Sequence, residues 1–154
     1  MQLTIRDARL EDAPVIADYN AALARESENL ELDPSLLLEG VRAVLNDAAK
    51  GAYLLAEDGG RPVGQLMLTY EWSDWRNGTF WWIQSVFVEP AYRRRGVFRA
   101  LYREVHERAR NNPSVCGLRV YVVDSNRRAR SVYENMGMAP TQYRMYESDF
   151  VLHR

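Results

Sequence analysis

The sequence is poor in the residues that carry cross-links and metal chemistry. Its 154 residues include one cysteine, Cys116, and two widely separated histidines, His106 and His153. A lone thiol excludes an internal disulfide framework, and this thiol with two scattered histidines makes no zinc site of the His/Cys kind, so the expectation is no metal. Cys116 reads as a small buried apolar residue because no histidine is placed to activate it; His106 reads as exposed and His153 as part of the tail. No apolar run approaches the roughly 18 residues of a transmembrane helix, and the opening Met1 to Asp7 lacks the zones of a signal peptide. No membrane contact and a cytoplasmic location are therefore expected. Net charge is equally scarce: 20 basic against 21 acidic residues leave −1, which supplies no field for nucleic acid, and no nucleic-acid partner is expected. Lys50 is the only lysine, so arginine carries the positive charge, and three arginines stand together at 93–95.

What is present is one domain's worth of core, 47% hydrophobic with no linker or repeat, read as a single domain over 1–154. Gln2 to Ala8 reads as a strand. Asp12-Ala13-Pro14 supplies a capping residue and an early proline for a helix carrying Val15, Ile16, Tyr19 and Leu23 on one face, and Asp33-Pro34 starts a second with Leu37, Val41, Val44 and Leu45. Period two then takes over. Ala52 to Glu57, a turn at Asp58-Gly59-Gly60, and Pro62 to Trp72 form a hairpin, and an aromatic strand covers Thr79 to Val88 up to Glu89-Pro90. A helix from about Gly96 to Asn111 carries Val97, Leu101, Val105 and Ala109. Leu118, Val120 and Val122 alternate in a strand, Asn126 to Met136 forms a short helix closed by Gly137, and Gln142 to Phe150 reads as a last strand. The order β-α-α-β-β-β-α-β-α-β implies a mixed α/β fold with helices on both faces of a central sheet.

The chemistry concentrates at Val86-Phe87-Val88-Glu89-Pro90 and Arg93-Arg94-Arg95-Gly96-Val97-Phe98. A strand runs through a basic loop into a helix whose first turn begins at a glycine. Unpaired N–H groups and the positive end of the helix dipole meet there, Gly96 permits close backbone approach, and a diphosphate suits such convergent donors. A P-loop is excluded because no Lys-Ser/Thr pair follows the glycine. The dinucleotide fingerprint is excluded because only one of its glycines is present.

This segment resembles the acetyl-coenzyme A motif Gln/Arg-x-x-Gly-x-Gly/Ala of the GCN5-related N-acetyltransferase (GNAT) family. Asn126-Arg127-Arg128-Ala129 through Tyr133 to Gly137-Met138 is similar to that family's next block, and Ile5-Arg6-Asp7-Ala8 through Ala13 to its opening. The resemblance implies a GNAT-type, largely antiparallel sheet and an acetyltransferase with acetyl-coenzyme A as cosubstrate. It implies that Val86, Phe87 and Val88 pair with the pantetheine arm and that Arg93 to Phe98 hold the pyrophosphate. Asn126 would bond the pantetheine, with Ala129 beside it, and Tyr133 would be the general acid toward the departing thiolate, a role for which a phenol near 10 is matched.

Two departures stand out. Phe98 replaces a small residue and, four positions from Tyr102, is expected to turn into the apolar flank. Gln84 stands where many members carry a glutamate base; an amide takes no proton, leaving Glu71, Glu89, a water positioned by Gln84, or solvent acting on a neutral amine. Tyr70, Trp72, Trp75, Trp81 and Trp82 divide between core and a wall for a cationic or planar acceptor, and Glu26, Glu28, Glu31 and Asp33 read as a solvated loop. The expected partner is a primary amine of a small molecule or a peptide. Gln84 also motivates an alternative, a non-catalytic acyl-coenzyme A binding module, and strand 142–150 is a candidate for pairing across a homodimer.

Overall fold

The computed structural model describes residues 1–152, in two compact units that divide between Tyr121 and Val122. His153 lies outside the described residues.

The first unit is built on five strands in the order β1-β2-β3-β4-β5: β1 Leu3–Asp7, β2 Ala52–Asp58, β3 Arg61–Ser73, β4 Gly78–Val88 and β5 Val115–Val120. The first four pair antiparallel and β5 runs parallel to β4, with Trp82 opposite Arg119. Helices α1 (Ala13–Glu28) and α2 (Pro34–Asn46) follow β1, and α3 (Val97–Arg110) follows β4. The elements sit where the punctuation puts them. Asp33 accepts from the N–H of Ser35 at 2.9 Å and of Leu36 at 3.4 Å, capping α2 at its proline. Gly59 and Gly60 both take positive φ in the β2–β3 turn.

Alternation along the strands sends side chains to two helical layers. Tyr53 and Leu55 of β2 and Met67 of β3 face Ala13, Ile16 and Ala17 of α1 and Val41 of α2. The opposite parity faces α3. A Cβ on Gly64 would lie 2.9 Å from a methyl of Val97, so glycine there is what lets α3 start close against β3. Leu101 and Val105 of α3 are fully buried, as are Leu54, Leu66 and Ile83. Helices therefore cover both faces of a largely antiparallel sheet.

Asp12 does not do what a residue before a helix is expected to do. Its carboxylate makes no cap to α1; it accepts two N–H groups of Arg6 at 2.8 and 2.9 Å and the Arg9 amide at 2.7 Å. A bidentate charged pair outcompetes a cap to a neutral amide. Cys116 is half-buried in β5 rather than fully enclosed, and His106 is exposed on α3 as expected.

In the second unit, α4 spans Arg127–Asn135 and ends at Gly137, whose φ is 91°. The strand expected over Gln142 to Phe150 does not form: these residues carry no strand or helix. Tyr143 and Met145 share one parity while Tyr146 and Phe150 share the other, so no single face is apolar, and all four are exposed. Among the described residues of this unit α4 is the only regular element, so no strand within it offers a ladder. Among the described residues no helix is long and apolar enough to cross a membrane, and no three His, Cys, Asp or Glu side chains cluster as metal ligands.

Candidate active site

The loop read from sequence as an anion cradle begins where β4 ends. The Glu89 N–H bonds the Val63 carbonyl at 2.9 Å, and Pro90–Tyr92 make a single tight turn. The Tyr92 hydroxyl donates to Asp58 at 3.1 Å, tying this turn to the β2–β3 hairpin. Gly96 then sits at φ 83° and caps α3 with no side chain. The first helical bond is from Ala100 N–H to the Gly96 carbonyl, at 3.0 Å, so the amides of Val97, Phe98 and Arg99 precede the ladder at the positive end of the dipole. A Cβ at Gly96 would meet nothing within 4 Å, so the glycine is there for its conformation and the space over it is open.

The three arginines are not equivalent. Arg93 donates from Nε to the Val88 carbonyl and from its terminal nitrogen to Glu26, both at 2.8 Å, and lies 5.4 Å over the Phe87 ring. Its charge is spent on holding the loop to the last turn of α1. Glu26, read from sequence as a solvated acid, is thus a tether. Arg94 takes a left-handed φ of 64° and Arg95 lies 5.0 Å over the Tyr92 ring; both are exposed and carry the loop's remaining positive charge. The half-buried Phe98 ring sits 6.3 Å from Tyr102, on the flank where the helix period puts it.

Within β4 the register is broken. Gln65 pairs with Phe87 but Met67 pairs with Gln84, so Ser85 and Val86 together oppose Leu66 as a β-bulge, with Ser85 at φ 49°. Sequence inspection missed this bulge because no glycine marks it. Gln84 Nε2 donates to Thr69 Oγ1, which turns the amide oxygen the other way as an acceptor. The carboxylates weighed as bases are both engaged. Glu89 accepts from Tyr19 at 2.9 Å and pairs with Arg61 at 2.9 Å; Glu71 pairs with Arg119 and accepts from Trp82 Nε1 at 3.2 Å.

The aromatics divide as alternation requires. Trp81 neighbours Tyr70, while Trp82 stacks on Tyr121 at 4.4 Å. The protein's own cations already occupy part of this surface: Arg119 lies 3.7 Å and Arg76 4.9 Å from the Phe80 ring centroid. Trp72 and Trp75 are exposed at the hairpin end.

In the second unit, Asn126 caps α4, its Oδ1 accepting the Ala129 N–H at 3.1 Å, which leaves Nδ2 as its donor. Arg130 steadies the preceding turn through the Asp124 carbonyl at 3.1 Å. Burial pushes the Tyr133 phenol up to about 12.

A family model described as the Acetyltransferase (GNAT) family matches residues 16–138. The chain belongs to the GNAT acetyltransferase family. The chain is similar, at 42% identity and a TM-score of 0.90 over 99% of its length and 100% of the other, to the crystal structure of a possible acetyltransferase from Clostridium difficile 630. More distant GNAT-type structures share the fold: a ribosomal-protein-alanine N-acetyltransferase from Brucella melitensis biovar Abortus 2308, at 19% identity and TM-score 0.77 over 97% of this chain and 99% of that one. A GCN5-related N-acetyltransferase from Ralstonia eutropha JMP134, also at 19%, gives 0.73 over 96% and 99%. No curated protein sequence matches the chain. The family match and the Clostridium difficile relative indicate acyltransferase activity.

Proposed function

We propose that the protein is an N-acetyltransferase that uses acetyl-coenzyme A and a primary amine, reacting by direct attack. One observation supports this most: a GNAT-family α3 begins at Gly96 with open space and uncapped amides, beside the exposed Arg94 and Arg95. That set fits a diphosphate, with the amides of Val97 and Arg99 at the helix start and Phe98 between them; Arg93 contributes by shaping the loop. Val86, Phe87 and Val88 offer backbone to an extended pantetheine arm, and Asn126, with Ala129 beside it, offers Nδ2. The family match runs over residues 16–138 and so includes Asn126, Ala129 and Tyr133. The single thiol of Cys116 suits a reducing compartment such as the cytoplasm.

Acetyl-coenzyme A, when bound, supplies the activated acyl group as a thioester. Gln84, its Nε2 fixed on Thr69, presents an oxygen that accepts one N–H of the neutral amine and so aims the nitrogen lone pair. Glu71 and Glu89 are engaged by arginines, so the proton that the nitrogen sheds after attack passes to solvent, where it balances the departing thiolate, and the rate rises with the neutral fraction of the amine. Backbone N–H groups along bulged β4 act as donors to the developing oxyanion. Tyr133 at about 12 keeps its proton throughout the physiological range. Full transfer to a thiolate whose conjugate acid lies near 8.5 is uphill, so the phenol acts by donating a hydrogen bond to the departing sulfur rather than by matched acidity.

Thiol release from acetyl-coenzyme A over a panel of polyamines, amino acids, aminoglycosides and peptides, with calorimetry of the same protein, tests the proposal. Turnover with at least one amine is expected, and Tyr133→Phe should lower kcat roughly tenfold with little change in coenzyme affinity. Binding without release across the panel would instead favour the non-catalytic binding module.

A further inference from the structure

Gln65 is fully buried in β3 between apolar neighbours, where an aliphatic side chain would avoid desolvating an amide. Its two N–H groups are both committed. Nε2 donates to Asn20 Oδ1 of α1 at 2.7 Å and to the Ser85 carbonyl at 3.1 Å. Asn20, also buried, is held in turn by the Tyr53 hydroxyl at 3.4 Å. Oε1 has no partner among the described residues, so the group is retained for what Nε2 does.

What Nε2 does is capture the carbonyl of the residue in the least favourable backbone conformation of the strand. Ser85, at φ 49°, is a non-glycine residue in the left-handed region, and the bulge it belongs to takes that stretch out of the regular ladder. The bulge also sets a phase. Residues 84 and 87 differ by an odd number, so in a regular strand they would point to opposite faces; here Gln84 pairs with Met67 and Phe87 with Gln65, both on the α1 side. The amine-facing Gln84 and the backbone of Val86 to Val88 are thus placed relative to each other by one irregular residue.

We infer that Gln65 is a positioning residue for acyl transfer: anchored to α1 through Asn20, it holds the Ser85 carbonyl and thereby keeps the β4 bulge in the register that aligns Gln84 with Val86 to Val88. This rests on the acyl-transfer reading above.

The test pairs Gln65→Met, which keeps the length and removes both donors, with Gln65→Met/Ser85→Gly, in which glycine holds the left-handed conformation unaided. Once the wild type releases thiol with an amine, kcat in Gln65→Met should fall at least about tenfold, with the KM for acetyl-coenzyme A changing far less, and Ser85→Gly should recover several-fold of that loss. Wild-type kcat in Gln65→Met, or a loss that Ser85→Gly does not relieve, overturns the inference in favour of a packing role. Should Gln65→Met fail to fold, Asn20→Ser loosens the same clamp from α1 and should lower kcat in the same direction; an unchanged kcat there also overturns it. Amide hydrogen exchange separates this from failure of the acyl-transfer reading, because it needs no substrate. In the variant folded at all, exchange at 84–88 should accelerate about tenfold while β2 stays protected, and uniform exchange across the sheet would refute the clamp.

Discussion

Two buried polar knots fasten α1 to the sheet, and they differ in charge and in place. At the start of the helix, Arg6 of β1 bridges Asp12 and, at 3.0 Å, Glu57 of β2. At its middle, the neutral chain Tyr53–Asn20–Gln65 reaches the Ser85 carbonyl. The first lies at the ends of β1 and β2 and the start of α1; the second lies under the bulge. A charged knot resists removal of either partner because an unpaired buried charge is costly, whereas a neutral one transmits geometry with little dependence on pH. The difference separates what keeps the fold from what shapes the bulged strand β4.

The largest expected effect breaks the charged knot. Asp12→Asn leaves Arg6 with one carboxylate and should cost about 2–4 kcal/mol of stability by denaturant unfolding, while turnover per folded molecule stays near wild type. A large drop in kcat with intact stability would erase the distinction between the knots.

A smaller effect follows from titration of the same residue. The Arg6 guanidinium, aided by the Arg9 amide and opposed by burial, holds the Asp12 carboxyl below its usual 3.8. A carboxyl depressed in the folded state contributes stability that is present above its unfolded value and lost as pH falls through its folded value. Unfolding measured from pH 6 downward should therefore show a loss beginning near pH 4 that is shallower in Asp12→Asn. Gln65→Met should keep the wild-type slope over that range, because its knot holds no titrating carboxylate.

These knots also show how far residues alone carry the fold. Asp33-Pro34, Gly59-Gly60 and Gly96 announce their elements because backbone conformation is chemistry local to those residues. The turn and helix start at 93–98 were legible for the same reason, since Gly96 marks both. The bulge was not: Ser85 has no intrinsic preference for φ 49°, and the conformation exists because Gln65, twenty positions away and on another strand, accepts the cost. Arg93 and Glu26 likewise look like loop charges until the fold sets them 2.8 Å apart. Asp12 reads as a cap because the competing Arg6 pair is visible only in space. The strand reading of 142–150 misled because its apolar residues divide between both parities, and a strand needs another strand to receive it.

The smallest predicted effect lies at the far end of the neutral knot. Tyr53 is buried, and burial raises its hydroxyl above the ordinary phenol value while Asn20 pulls it back. Its bond from Asn20 Nδ2 is 3.4 Å long, weaker than the 2.7 Å link that follows it, so Tyr53→Phe should cost at most about 1 kcal/mol. Because Asn20 still grips Gln65 after that change, kcat should fall less than twofold. A graded series, with the loss in turnover growing from Tyr53→Phe through Asn20→Ser to Gln65→Met, would show that the effect travels along the knot toward Ser85. Equal losses at all three positions would mean that any disturbance under α1 slows the reaction, and the neutral knot would then be no different in kind from the charged one.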